Sequence, residues 1–260
     1  LRNISPERIF SELKGILCAR GAGEMLLAFP EVFFVILPEL APMRGFDTRR
    51  PQNHCWDVWG HTAHAADAIA PESVLRLTML FHDSGKPETF RYDAQAGFGR
   101  FPGHPAVSAR IADAALRALR CDNAARERVV TLVENHEMRT GHGKKDLRRL
   151  LAKIGEKNMR DLLLVRRADA AAHAPEAAAR LTALADEDER ILHEITAERG
   201  CLHVKDLAVS GNDLLALGLK PGAAVGETLS RLLDLVLDEE VPNEKGALLA
   251  AARKEMQTHE

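Results

Sequence analysis

The chain has 260 residues, 46% of them apolar and 28% charged, and carries a formal net charge of −3. This is the composition of a folded soluble protein with room for one large or two modest domains, and it excludes a disordered chain. With no global positive charge, any nucleic-acid contact has to come from a local basic patch. No apolar run approaches the roughly 20 residues that span a bilayer, so no membrane partner is expected.

Alanine, leucine, arginine and glutamate dominate and aromatics are only 5%, a balance that favours helix. Leu1-Arg2-Asn3 offers neither an initiator methionine nor a signal peptide, and reads as the interior of a longer chain or a trimmed one. Ser5-Pro6 opens a first helix as hydroxyl cap and first-turn proline, Ile9, Leu13, Ile16 and Leu17 share its apolar face, and Gly21 is expected to close it. Pro30 and Pro38 divide the apolar stretch 24–40 into short helices. Pro42, Gly45 and Pro51 mark a loop over 41–53. From Val58, apolar periodicity predicts helices over about 58–69, 72–82, 105–119, 123–136, 146–154, 156–173 and 176–199. Between them Phe90, Tyr92, Phe98 and Phe101 alternate around Gly97, which predicts a small β-hairpin near 90–101. Past Gly200 the texture changes, and helices follow near 212–217, 223–238 and 244–256. The expected architecture is all-α, a helical bundle with one hairpin insertion and helical segments at both ends. Its expected parts are 1–50, 51–200 and 201–260.

Cys18, Cys55, Cys121 and Cys201 are far apart and form no CxxC pair. Zinc-ribbon and thioredoxin readings therefore fail, and reduced, mostly buried thiols in a cytoplasmic protein are expected. The eleven histidines carry more information. His61, His82-Asp83, His104, His136 and Asp169 all fall at or near predicted helix ends, where ligands from separate helices converge in a bundle. The lead-in Leu75, Leu77, Met79, Leu80, Phe81 is apolar, and Ser84-Gly85-Lys86-Pro87 should stop the helix. Adjacent helical side chains point about 100° apart, so His82 and Asp83 can both ligate only at a helix end or across two metals. Imidazole and carboxylate suit divalent Fe, Mn, Ni, Mg or Zn.

His61, His82-Asp83 and Asp169 match the H…HD…D pattern, and the chain thereby resembles the HD superfamily of metal-dependent phosphohydrolases. More narrowly, three stretches look like the corresponding region of bacterial CCA-adding enzymes and poly(A) polymerases: Asp57-Val58-Trp59-Gly60-His61-Thr62, residues Phe81 to Phe90, and Gly103-His104-Pro105-Ala106-Val107-Ser108-Ala109. Residues Arg2 to Ile9 resemble that family's neck-to-body helix, and Lys205 to Leu214 with Val241-Pro242-Asn243-Glu244 resemble its tail. Nothing in the chain resembles a GGxxRD segment or a paired DxD on a strand. The resemblance thus implies a C-terminal portion of such an enzyme, or a free-standing relative, that does not add nucleotides by itself.

By resemblance, His61, His82, Asp83 and Asp169 bind one divalent ion, and His104 and His136 are the further histidines of two-ion members. Such an ion lowers the pKa of water toward neutrality and polarises a phosphoryl oxygen. Asp83 and Lys86 are then the candidate catalytic residues, and Lys86 and Arg110 the candidates to neutralise substrate phosphate. The expected substrate is a phosphomonoester, a 2′,3′-cyclic phosphate or a nucleotide, whether a small molecule or an RNA end. The competing reading is a tRNA- or RNA-binding body whose metal site is structural or vestigial. The basic run Lys144, Lys145, Arg148, Arg149, Lys153, Lys157, Arg160, Arg166, Arg167 either tracks tRNA phosphates or forms a solvated face balanced by Glu156, Asp161 and residues 186–189. His64 reads as support for a neighbouring ligand or polar surface. His54 stays open, and His142, His173, His193, His203 and His259 read as surface. Trp56 and Trp59 are expected to seat the His61 helix in the core.

Overall fold

The computed structural model describes residues 4–48, 55–137, 143–198 and 200–258. His54, His142, His259, the Arg2-Asn3 start and residues 49–53 of the expected loop lie outside the described residues. Among the described residues the regular structure is helical except for one two-stranded antiparallel hairpin, so the all-α expectation holds.

Ser5 caps α1 (Pro6–Leu17) by accepting from the Arg8 amide, and Pro6 starts its first turn. Gly21 does not close this helix. α1 ends at Leu17, and Gly21, in the left-handed region at φ 77°, opens α2 (Ala22–Ala28). Pro30 then starts α3 (Pro30–Ile36). Pro38–Met43, part of which was expected to be loop, forms a 3-10 helix, a tighter turn whose three-residue period leaves no α-helical pattern to read. α4 (Val58–Ala68), α5 (Ser73–Phe81), α7 (His104–Ala118) and α8 (Asn123–Asn135) stand within two residues of their expected bounds. The segment expected only to stop α5 instead begins a further helical turn, α6 (Lys86–Thr89), with Pro87 in its first two positions. The hairpin pairs β1 (Arg91–Asp93) with β2 (Phe98–Arg100).

Continuous helical backbone runs over α9 (Lys144–Ala171), but it is broken at Gly155, where φ 79° and ψ 159° are not helical. The sequence break between 154 and 156 is therefore real. α10 (Pro175–Ala197), α11 (Gly211–Ala216), α12 (Ala223–Leu237) and α13 (Lys245–Thr258) complete the chain.

Contacts group the chain into two compact units, Leu1–Thr140 with Lys157–Glu187, and Gly141–Glu156 with Asp188–Glu260. In the first unit α5 is buried from Val74 to Phe81, with Leu75, Leu77, Met79, Leu80 and Phe81 all inaccessible. α2 meets α4 so closely that a Cβ on Gly23 would lie 2.3 Å from the Ala63 carbonyl oxygen. Trp59 donates from Nε1 to the Leu26 carbonyl at 3.1 Å and is buried, as expected. Trp56 is not: it is 49% exposed and its ring lies 4.3 Å from that of His64.

The second unit has its own core of Leu207, Val209, Leu214, Leu232, Val236, Leu248 and Ala252. The Asn243 side chain joins two tail segments here, accepting from the Ala208 amide at 2.8 Å and donating to the Asp206 carbonyl at 2.9 Å. Ser210 and Asp213 cap α11 reciprocally. The basic face of this unit is neutralised. Lys144 and Arg148 pair with Glu198, Arg148 also with Glu239, and Lys145 and Arg149 with Asp238. Of the acids expected to balance the basic run, Asp186 does pair with Arg167, whereas Asp161 pairs with Arg128, outside the run.

Candidate metal centre

Five helices of the first unit deliver its histidines and aspartates to one place. Asp57 caps α4 through the Gly60 amide, which sets His61 one turn into the helix on its buried face. α5 stops at Phe81, so His82 continues in helical geometry while Asp83 lies in the following turn. Two adjacent side chains thereby face one point, which a continuing helix forbids. Gly103, left-handed at φ 73°, turns the chain so that His104 is the first residue of α7. His136 caps the end of α8, and Asp169 lies in the last turn of α9.

Gly85 brings α7 in. A Cβ there would fall 2.6 Å from the His104 carbonyl oxygen and 2.8 Å from the Ser108 nitrogen. The Gly85 amide also donates to Ser108 Oγ at 2.8 Å.

The carboxylate of Asp83 is shared between two groups. Oδ2 lies 3.4 Å from His82 Nε2 and 3.7 Å from His61 Nε2. Oδ1 lies 3.3 Å from His104 Nε2 and 3.7 Å from His136 Nε2. Asp169 Oδ1 adds to the first group, 2.8 Å from His61 Nε2 and 3.5 Å from His82 Nε2. The ligand atoms of His61, His82 and Asp83, and those of Asp83, His104 and His136, lie within 4.8 Å of one another in each group. A third group with the same spacing joins His61, Asp169 and His173.

The imidazoles are oriented alike. His61, His82, His104 and His136 each point Nδ1 at a backbone carbonyl, of Ala172, Met79, Phe101 and Val133 respectively, at 3.3, 2.6, 3.1 and 2.6 Å. A carbonyl only accepts, so each Nδ1 carries a proton there, and a neutral ring then presents its Nε2 lone pair. The Nε2 atoms of His61 and His82 then meet at 3.4 Å, and those of His104 and His136 at 3.2 Å. In neutral rings those lone pairs face one another beside carboxylates, an arrangement that a shared cation stabilises, and carbonyl-anchored imidazoles are how proteins present metal ligands. The donor set fits a divalent ion.

Electrostatics favour the ligating state for the two carboxylates, His136 and His173, and oppose it at His82. Burial alone would raise Asp83, but His82, Lys86, His104 and His136 hold its carboxyl well below the usual range. Asp169 is likewise held well below it, by His61 and His82 against the effect of burial. Burial would lower His82, yet Asp83 and Asp169 outweigh it and the group is raised. Burial lowers His136 and His173. Ionised carboxylates and neutral imidazoles are the forms in which these side chains ligate.

A cavity of about 210 Å³ opens onto this cluster, lined by Asp83, Lys86, His104, His136 and Asp169 among the expected residues. Lys86 is buried with Nζ 2.5 Å from Asp83 Oδ2. Arg110 does not reach the site. It is exposed, holds Glu88 at 2.8 and 3.0 Å, and lies six residues after His104, which turns it about 120° away around the helix. Asp169 bonds histidines and not the arginines beside it. The cavity also has lining residues that sequence reasoning missed, Phe101, Glu137, His173, Arg180 and Leu181. His173, expected at the surface, lies just past α9 with Nδ1 2.8 Å from the Asp169 carbonyl. Its spacing of four from Asp169 was the available signal. Among the described residues no helix is long and apolar enough to cross a membrane, and Cys55 and Cys18 are not buried as the other two thiols are.

A family model described as tRNA nucleotidyltransferase domain 2, putative, matches residues 106–252, more than half of the chain. The CC-adding tRNA nucleotidyltransferase of Thermus thermophilus is 35% identical over 236 residues, covering 88% of this chain and 52% of the relative. The A-adding tRNA nucleotidyltransferase of Deinococcus radiodurans is 30% identical over 243 residues, covering 88% and 54%. The chain spans about half the length of these curated relatives.

Proposed function

The chain belongs to the tRNA nucleotidyltransferase domain 2 family, and from that premise we propose that its helical body is a metal-dependent phosphohydrolase of the HD type. The observation that carries the reading is the Asp83 carboxylate set between two pairs of carbonyl-anchored histidines. His61, His82, Asp83 and Asp169 would hold one divalent ion, and Asp83, His104 and His136 a second. Bound there, the metal supplies Lewis-acid polarisation of a phosphoryl oxygen and water of lowered pKa.

The reaction is hydrolysis of a phosphomonoester, a 2′,3′-cyclic phosphate or a nucleotide. A water oxygen bonds to phosphorus, one ester P–O bond breaks, and a water proton passes to the freed oxygen, which departs as an alcohol from a monoester and stays attached as a hydroxyl when a cyclic phosphate opens. The protein's own part is to hold the ligands fixed, to keep Asp83 ionised through Lys86, and to admit one phosphate to the cavity. The relatives are named for nucleotide addition, so this reading gives the chain a reaction of its own. Residues 51–200 are read as its metal-binding domain, between a neck-like segment at 1–50 and a tail at 201–260.

A screen of these phosphoesters with added nickel, manganese or magnesium tests the reading. Turnover is expected, and Asp83→Ala should abolish it with helix content intact by circular dichroism. No turnover with any metal sinks it.

A second reading takes the chain as a tRNA-binding body with a structural metal, supported by relatives named for acting on tRNA. The acid pairing of Lys144, Lys145, Arg148 and Arg149 weighs against a broad phosphate track. Absence of tRNA binding at low salt, where phosphate contacts are strongest, would remove it.

A further inference from the structure

We infer that Arg180 clamps the substrate phosphate at the mouth of the His/Asp cavity, an inference that rests on the phosphohydrolase reading above. Arg180 lies in the second turn of α10 and lines the same cavity as Asp83, Lys86 and Asp169. It is exposed, and among the described residues no carboxylate pairs with it. Other arginines of the same unit are committed, Arg110 to Glu88, Arg128 to Asp161 and Arg167 to Asp186. Lys86 cannot take the part, because its ammonium is buried against the Asp83 carboxylate. Beside Lys86 and three histidines, the lining carries the carboxylates of Asp83, Asp169 and Glu137, which repel an incoming dianion. An uncommitted guanidinium at its edge offsets that repulsion and grips two phosphate oxygens at once with its planar fork.

The size of the cavity narrows the substrate. At about 210 Å³ it is smaller than the roughly 300–1,000 Å³ of pockets that enclose a whole drug-sized ligand. It admits a phosphate end and leaves the rest of the molecule outside, where Arg180 stands. Phe101 and Leu181 give the cavity apolar walls beside the charged groups. The substrate class is a terminal phosphomonoester on a larger molecule.

The test compares wild type, Arg180→Ala and Arg180→Lys in two assays on manganese-loaded protein. Inorganic phosphate is titrated in by calorimetry, and hydrolysis of a nucleoside monophosphate is followed at steady state. Arg180→Ala should weaken phosphate binding and raise KM, each about tenfold, with kcat within about twofold and bound manganese unchanged. Arg180→Lys should recover part of both. Equal phosphate affinity in wild type and Arg180→Ala overturns the inference, as does a loss confined to kcat or a wild type that binds no phosphate. A wild type that binds phosphate through Arg180 yet hydrolyses no ester leaves the clamp standing and overturns the hydrolase reading instead.

Discussion

Gly85 and Asp83 sit two residues apart and make the site by different means. Asp83 supplies charge to both pairs of histidines, and Gly85 supplies the absence of a side chain that lets α7 carry His104 within 3.3 Å of it. A methyl group at Gly85 would meet backbone atoms on α7, which have no flexible way to yield. Gly85→Ala is therefore expected to destabilise the fold by about 1–3 kcal/mol, as overpacking does, and to weaken metal uptake by moving His104. Urea denaturation and a metal titration check this, and a variant with wild-type values in both would show that α7 is free to adjust. His82-Asp83 was legible because an apolar helix running into a ligand pair and a glycine has few other uses. His173 and Arg180 were not. For His173 the one local sign was its spacing of four from Asp169, and nothing local distinguishes an exposed arginine until the fold places the cavity beside it.

Among the elements, the helices from Val58 onward were legible because each buries a face at the 3.6-residue period. Short pieces were less so. The 3-10 helix Pro38–Met43 and the single turn α6 are held by their neighbours rather than by any periodic pattern of their own. The basic segment of α9 before Gly155 shows the same limit, because its pairing partners lie far along the chain. Arg149 and Lys145 hold the Asp238 carboxyl down at about 2, through hydrogen bonds that burial only partly opposes. A depressed carboxylate contributes stability above its unfolded pKa, near 3.9, and loses it as pH falls through the folded value. Stability of the second unit should therefore fall between about pH 4 and pH 2, and Arg149→Ala should make that acid limb shallower. The pair is surface-exposed on the arginine side, so the effect should shrink in high salt. An acid limb unchanged by Arg149→Ala in thermal melts would contradict the assignment.

For the whole molecule, membership of the tRNA nucleotidyltransferase domain 2 family rests on residues 106–252. That span takes in His136, Asp169 and His173 but not His61, His82, Asp83 or His104. The candidate centre thus draws on segments inside and outside the matched region, and only the fold joins them. Sequence order could suggest that the helix ends converge. It could not show that Asp83 turns one oxygen to each pair of histidines, since that depends on where α5 stops and how closely α7 approaches. The central claim is that this constellation holds divalent metal. Metal analysis of protein purified without chelator, wild type beside Asp83→Asn and His104→Ala, tests it most directly. The account predicts one or two divalent ions per chain in wild type, none in Asp83→Asn, and loss of no more than one in His104→Ala. A wild type that is metal-free and takes up no added manganese, nickel, zinc, iron or magnesium would contradict it.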